Sequence, residues 1–591
     1  MPETQPNQTN FQFGPKFIQP QQCRFSVWAK SRNRMKLELK QAGEITEHKM
    51  ERDDDGFFSV TVDNVKHGDD YRFILNRSKT RPDPAAHYYT NDVHGWCKII
   101  DHDQYQWQQP DWKGIEKKDL VLYELHIGTF TEKGTFLSTI DRLDELVKLG
   151  VTAIEILPVA QCPGRWNWGY DGVGLFSVAN NYGTPDHLKQ LIDACHARGL
   201  AIILDVVYNH LGPEGNYVSE FGPYFTAKYH TPWGSAWNFD DVDNQYVRRF
   251  ITENVRLWIQ EYQFDGLRLD AVHFMFDDSE KPIQIQIAET FDDLRESEQR
   301  HLHMIGETNV QNSSLVKSTS PHGTGFDIVW TDAIMHSLLN IAQPGLDVCH
   351  RDHGQKTDPG LALQQGFLYE NYPYERHDNG QRADLHSFVI GLQNHDTVGN
   401  HPLGKRIQQL GCPAFHQAAA ALCLLYPAVP MLFMGEEFAC ENPFLFFVEF
   451  SDPRVRDSVE KGRATEFPEM HKIKGVSPLD PQTFFKSKIG SKDDGNLEIW
   501  AWYQKLIALR KRFRNSGLLV SENLRVESDG DNHYYQLIYE NENKRLSVHV
   551  KLAEKDTVDH RSEIQNAGEV LLSTHTATNT IGKNEVVIVL S

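Results

Sequence analysis

No stretch of ~18 apolar residues occurs in this chain, so no part of it is expected to cross a membrane as a helix. The amino terminus, MPETQPNQTNFQFGPKF, has no basic start followed by an apolar run; no export signal is expected, and a cytoplasmic location is. The eight cysteines, at 23, 97, 162, 195, 349, 412, 423 and 440, show no CxxC spacing and no paired framework, which points to small buried hydrophobes in a reducing compartment. The 27 histidines form no HExxH or similar ligand pattern, so a zinc site is not expected. Positive charge is also short. With 60 Lys and Arg against 81 Asp and Glu the net charge is −21, which argues against a nucleic-acid or anionic-membrane partner and for a neutral or cationic one. Neutral sugars fit that balance. No internal repeat, low-complexity tract or Gly-rich phosphate turn is present.

What is present is enough apolar content, 40%, and aromatic content, 11%, for packed cores in a chain of 591 residues. At ~150 residues per domain that length suggests about three or four units. After a polar leader, the segments Arg24–Ala29, Lys36–Leu39, Phe57–Val62 and Tyr71–Leu75 alternate apolar and polar residues between turn-rich runs, predicting an antiparallel β-sandwich over 1–105. Such a sandwich is carbohydrate-binding-module-like; it either binds glycan or simply packs on its neighbour. The polar, Trp-containing stretch Asp101–Lys118 reads as a linker.

From Leu120 the rhythm becomes strand, loop, helix. Strands are expected at Leu120–His126, Ala153–Leu157, Ala201–Val207, Gly266–Asp270, His303–Gly306, Asp327–Trp330, Phe388–Leu392 and Met431–Met434. Amphipathic stretches lie between them at Ser138–Leu149, Pro185–Arg198, Gln245–Tyr262, Ile283–Arg300 and Cys412–Tyr426, with Ser138 and Thr184 placed as N-caps. Eight strands alternating with helices predict an α/β fold, a (β/α)8 barrel over 106–515, with an open doubly wound sheet as the alternative. The long connection 208–244 carries Tyr217, Phe221, Tyr224, Phe225, Tyr229, Trp233 and Trp237 and is expected to build the pocket. A helix at Asn496–Phe513 closes the barrel, and short alternating segments predict a C-terminal all-β domain over 516–591.

Active sites of such barrels lie where the strands end. Reading those ends gives DVVYNH with Asp205, Asn209 and His210; DGLRLDAVH with Arg268 and Asp270; GET with Glu307; and QNHD with His395 and Asp396. Alternation of Leu267, Leu269 and Ala271 places Arg268 and Asp270 together on the opposite face. That pair alone reads equally well as a structural ion pair or as a nucleophile beside its guanidinium. Three carboxylates and two histidines at matching ends of four strands favour catalysis, and two carboxyls with opposed pKa tuning suit retaining glycoside cleavage. Asp270 then attacks, Glu307 protonates the leaving oxygen, and Asp396 holds sugar hydroxyls. One carboxylate and Asn209 near the third strand do not make a calcium sphere, so no metal and no other cofactor is expected.

These four segments resemble the conserved regions of the α-amylase superfamily over about 120–450. The resemblance implies Asp270 as nucleophile, Glu307 as acid/base and Asp396 as transition-state stabiliser. It also implies that Arg268 orients Asp270, that His210 and His395 contact the reacting sugar, and that Tyr170 stacks on it, with Asp205 and His273 also counted among the substrate-binding residues. Within the superfamily, YELHIGTFTEKGTF, PGRWNWGYDGV, YHTPWGSAWNFD, LQNHDTVGN, PMLFMGEEF, PFLFF and the RPDPAA segment at Arg81–Ala86 are similar to the malto-oligosyltrehalose trehalohydrolase family. That similarity implies a trehalose-capped α-glucan substrate. The chain departs from the family's pattern at Thr308 and Asn309, where two acids are usual, and at Phe447–Phe450, where FTDH is usual. A branching enzyme or other glucanotransferase would use the same three carboxylates. A non-enzymatic glycan-binding protein would be expected to have lost one of them.

Overall fold

The computed structural model describes residues 13–76, 78–308, 313–316, 323–344, 359–366, 384–466, 477–529, 533–552, 568–574, 581 and 583–591. Eight parallel strands close on themselves in chain order: β1 (Leu122–Leu125), β2 (Ala153–Ile156), β3 (Ala201–Val206), β4 (Gly266–Leu269), β5 (His303–Glu307), β6 (Ile328–Trp330), β7 (Phe388–Gly391) and β8 (Val429–Phe433). Leu122 of β1 pairs with Met431 of β8, so the sheet has no free edge and the open-sheet alternative is excluded. Each strand begins or ends within two residues of the expectation.

The two faces of these strands belong to different apolar clusters. Leu122, Ala153, Ala201, Ile203, Ile305, Ile328, Val389, Val429 and Met431 pack together inside the barrel. Tyr123, Leu125, Ile154, Ile156, Leu204, Leu267 and Leu269 face the surrounding helices. The stretch expected to be a linker is instead a plug for the barrel floor. Trp112 and Ile115 pack against the interior cluster, the Trp112 indole donates to Asp265 at 2.7 Å, and its ring stacks on His196. A polar run rich in turns hides two apolar side chains that find the barrel's open end.

The helices follow their sequence signals with two exceptions. Thr184 caps Pro185–His196, and Cys412 and Asn496 cap Pro413–Leu424 and Leu497–Asn515. The stretch expected as one helix from Ser138 is two, Phe136–Ile140 and Leu143–Leu149. Its cap is Thr135, with Ser138 returning a hydrogen bond from the third helical position. The helix Asn244–Arg256 widens into a π turn over Leu257–Glu261. Among the described residues no helix is long and apolar enough to cross a membrane.

All-β sheets flank the barrel. At the amino-terminal side lie a four-stranded antiparallel sheet built on Gln22–Trp28 and Phe57–Asp63 and a five-stranded sheet built on Met35–Gln41 and Asp70–Leu75. Their inner residues Phe25, Val27, Leu37, Leu39, Tyr71 and Phe73 belong to one cluster. At the carboxyl end five strands form an antiparallel sheet around Tyr534–Glu540 and Arg545–Lys551. The connection 208–244 joins the amino-terminal sheets to the barrel. Phe221, Tyr224 and Trp237 are buried there, Tyr224 against Trp28 and Phe250, so three of the seven aromatics expected in a pocket serve as packing. Trp233 is the exposed one, stacked on His210.

Candidate active site

Arg268, on the inner face of β4, organises the mouth of the barrel. Its Nη1 donates to both carboxylate oxygens of Asp205, at 3.0 and 2.9 Å, and to Asp270 Oδ1 at 2.7 Å. Its Nη2 lies 3.8 Å from Glu307 Oε2, and the guanidinium sits over the Trp330 ring. The strand register explains the grouping, because Asp205 of β3 is directly opposite Arg268, and β5 delivers Glu307 one strand further round. A buried guanidinium needs counter-charges, and three carboxylates supply them. Asn209 Nδ2 donates to Asp270 Oδ2 at 3.0 Å and to its backbone oxygen at 2.8 Å. Asp270 is thus held from two sides.

Glu307 differs in its surroundings. Burial pushes its carboxyl up to about 8, with Arg268 opposing and Asp270 and Asp332 adding to the rise. Its Oε2 accepts the backbone N–H of Ala271 at 2.7 Å. That N–H is aimed by an unusual backbone: Ala271 has φ 40° and ψ 55°, the left-handed region, immediately after Asp270. A non-glycine residue there costs on the order of 1–3 kcal/mol, a strain that collects at functional sites. Alternation in GLRLD foretold the face of Arg268 but carries no signal for this kink.

The remaining expected residues divide into those that line the mouth and those that stand behind it. Tyr170 and His395 lie ring to ring at 5.1 Å, with the tyrosine hydroxyl 2.6 Å from Asp205 Oδ2 and 2.8 Å from His395 Nε2. Asp396 is exposed at the mouth, its Oδ1 accepting from Asn400 at 2.6 Å. His210 is buried between Asn209, which it meets through Nδ1, and Trp233. His273, half-buried on the turn after β4, packs against Phe274. Asp205, also expected among the substrate-binding residues, is 2% exposed, with both oxygens accepting from Arg268 and one of them also from Tyr170.

The positions at which the chain departs from the family's pattern lie in different surroundings. Glu449 accepts from the backbone and side chain of Arg165, the latter at 2.7 Å, clamping the loop after β2 to the segment after β8. Thr308 is buried. Asn309 lies outside the described residues. The sequence reading missed Glu124 on β1, whose carboxylate binds the backbone N–H and ring of His395. An acid at an inward position of the apolar run LYEL was the available signal. It also missed Glu155 on β2, a carboxyl that burial raises to about 8 beneath the same cluster.

A closed parallel barrel with an arginine among three carboxyls at the ends of its strands has the make-up of a glycoside hydrolase of the α-amylase class. Residues 100–232 match the profile of the alpha amylase catalytic domain. The chain is 41% identical over 515 residues to the malto-oligosyltrehalose trehalohydrolase of Saccharolobus solfataricus, covering 85% of this chain and 87% of that protein. It is 35% identical over 502 residues to the one from Arthrobacter ramosus, with 83% and 87% covered. A crystal structure from Salmonella typhimurium, described provisionally as an alpha amylase, superposes with a TM-score of 0.86 at 31% identity, covering 98% of this chain and 99% of that one. The chain belongs to the malto-oligosyltrehalose trehalohydrolase family.

Proposed function

We propose that this glycoside hydrolase cleaves the α-1,4-glucosidic bond next to the terminal trehalose of malto-oligosyltrehalose, with retention of configuration, and releases free trehalose. The observation that carries the mechanism is the single Arg268 guanidinium in reach of both Asp270 and Glu307. Two carboxyls gathered around one guanidinium support a double displacement, which asks for a pair ~5 to 5.5 Å apart. Asp270, oriented by Arg268 and Asn209, attacks the anomeric carbon. Glu307, kept protonated by burial, gives its proton to the departing oxygen and later takes one from the water that releases the sugar. Asp396 binds hydroxyls of the distorted ring, and Tyr170, His210 and His395 line its place. The seven cysteines among the described residues are all free, in keeping with a reducing, cytoplasmic setting.

The substrate end of this reading rests on the family. A non-reducing disaccharide points its hydroxyls differently from maltose, so a pocket built for it leaves polar groups unpaired when maltose enters. Initial rates on maltotriosyltrehalose and maltopentaose at equal concentration test it, with the product followed by NMR. A clear preference for the capped substrate, free trehalose, and first appearance of the shortened glucan as its α-anomer are expected. Equal rates, or branched products without trehalose, would replace it with a general amylase or a glucanotransferase.

A further inference from the structure

His395 is held between partners that dictate where its protons lie. Glu124, 1% exposed on the inner face of β1, accepts the His395 backbone N–H through Oε2 at 2.9 Å and the ring Nδ1–H through Oε1. On the far side of the ring, Nε2 lies 2.8 Å from the Tyr170 hydroxyl. That hydroxyl spends its single proton on Asp205 Oδ2, and Asp205 is an acceptor already receiving Arg268 at both oxygens. Nε2 must therefore supply the proton of the Tyr170 contact, while Nδ1 supplies that of the Glu124 contact. Both ring nitrogens donate, which only the imidazolium can do.

We propose that Glu124 is a positioning residue for glycoside cleavage: it holds His395 by backbone and ring, and so fixes one hydrogen-bond direction along His395, Tyr170, Asp205, Arg268 and Asp270. The inference rests on the reading of Asp270 as nucleophile. The groups facing His395 are Glu124 of β1, His126 just beyond it, Glu155 of β2, Tyr170, Asp205 of β3, Arg268 of β4 and the neighbouring Asp396. Burial alone would lower the imidazole, and Arg268 works in the same direction; the charge and hydrogen bond of Glu124, with Asp396, raise it to about 9. Glu124 is also fixed through its own main chain, since its carbonyl accepts the Met434 N–H at 2.9 Å across the β1–β8 seam. Both oxygens of this buried carboxylate go to the one residue His395, so the two are tied to each other by main chain and ring together.

Glu124→Gln preserves shape but turns one acceptor into a donor. The amide oxygen can keep the backbone N–H; its NH2 then faces Nδ1, which must give up its proton, and His395 becomes neutral. Ring 15N spectra of histidine-labelled enzyme without substrate, with His395 assigned by its absence in His395→Gln, read this directly at pH 7.5. Two protonated ring nitrogens are expected in the wild type and the neutral pattern in Glu124→Gln. The variant should also lose kcat on the order of 10- to 100-fold, with KM changed far less, because reacting groups are misdirected rather than removed. A neutral His395 in a wild-type enzyme that cleaves α-glucans would overturn this role alone. Wild-type kcat and pH profile in a folded Glu124→Gln would do the same. If that variant does not fold, the wild-type spectrum decides. An imidazolium in an enzyme that cleaves no α-glucan would overturn the hydrolase reading and this role with it.

Discussion

Asp270 and Glu307 are the same chemistry in two surroundings. One receives side-chain donors from Arg268 and Asn209; the other receives one backbone N–H and is otherwise desolvated. Asp270→Asn keeps the shape and removes the oxygen proposed to attack, so kcat should fall below about one hundredth of wild type with an unchanged melting temperature. In the proposed reaction Glu307 acts while protonated, and its carboxyl is raised to about 8; the proton is held below that pH and lost above it. The alkaline limb of kcat/KM should therefore bend near pH 8, as a pH–rate series would read. In Glu307→Gln that limb should vanish, while an α-maltosyl fluoride, whose leaving group needs no proton, should still be attacked. Survival of the limb in that variant would remove Glu307 as the acid. Much of this site was legible, because strand ends of a parallel barrel converge and carry their residue types openly. The kink at Ala271 and the burial of Asp205 were not, since both depend on what lies opposite across the barrel.

At the scale of elements, the loop after β2 and the turn after β7 meet without slack. Trp168 stacks on Phe444, meets His395 edge to face at 5.5 Å and donates its indole N–H to Leu445 O at 2.9 Å. A Cβ added at Gly399 would fall well inside van der Waals contact with the Trp168 ring. Gly399→Ala therefore has to push Trp168 into His395 or Phe444. Overpacking of this kind costs about 1–3 kcal/mol, and the melting temperature and kcat should fall together. An unchanged melting temperature would mean that the loops move more freely than this packing allows. Strand positions were legible because a strand buried on both faces leaves a short apolar run between turn signals. The split helix near Ser138 and the plug at Trp112 were not. A polar stretch with two apolar residues has no period, and its partner is the far end of a barrel strand.

Across the whole molecule the amino-terminal sheets act as a wall for the connection that follows β3. Trp28 is fully buried, stacked on Tyr246 at 5.0 Å and edge-on to Tyr224 at 5.0 Å, and its carbonyl accepts the Tyr224 hydroxyl at 3.2 Å. Ser31 N–H reaches Phe221 O at 2.9 Å, Arg81 reaches Glu220 at 3.0 Å, and Glu220 is also ion-paired with Lys79. The same connection carries His210 and Trp233 at the mouth of the site, so the wall and the pocket are two sides of one segment. Trp28→Ala removes the largest side chain of that contact and should cost about 3–5 kcal/mol. Its effect should not stop at stability. With the connection loosened, limited proteolysis should cut first within 208–244, and KM should rise several-fold while Asp270 and Glu307, at the ends of barrel strands β4 and β5, keep their chemistry. A chain beginning at 106 should expose Phe221, Tyr224 and Phe250 together and aggregate, since an apolar surface of that kind is not left open to water. If that shortened chain were instead soluble, with wild-type kcat/KM and melting temperature, the sheets would be an independent unit and the coupling between wall and pocket would be wrong.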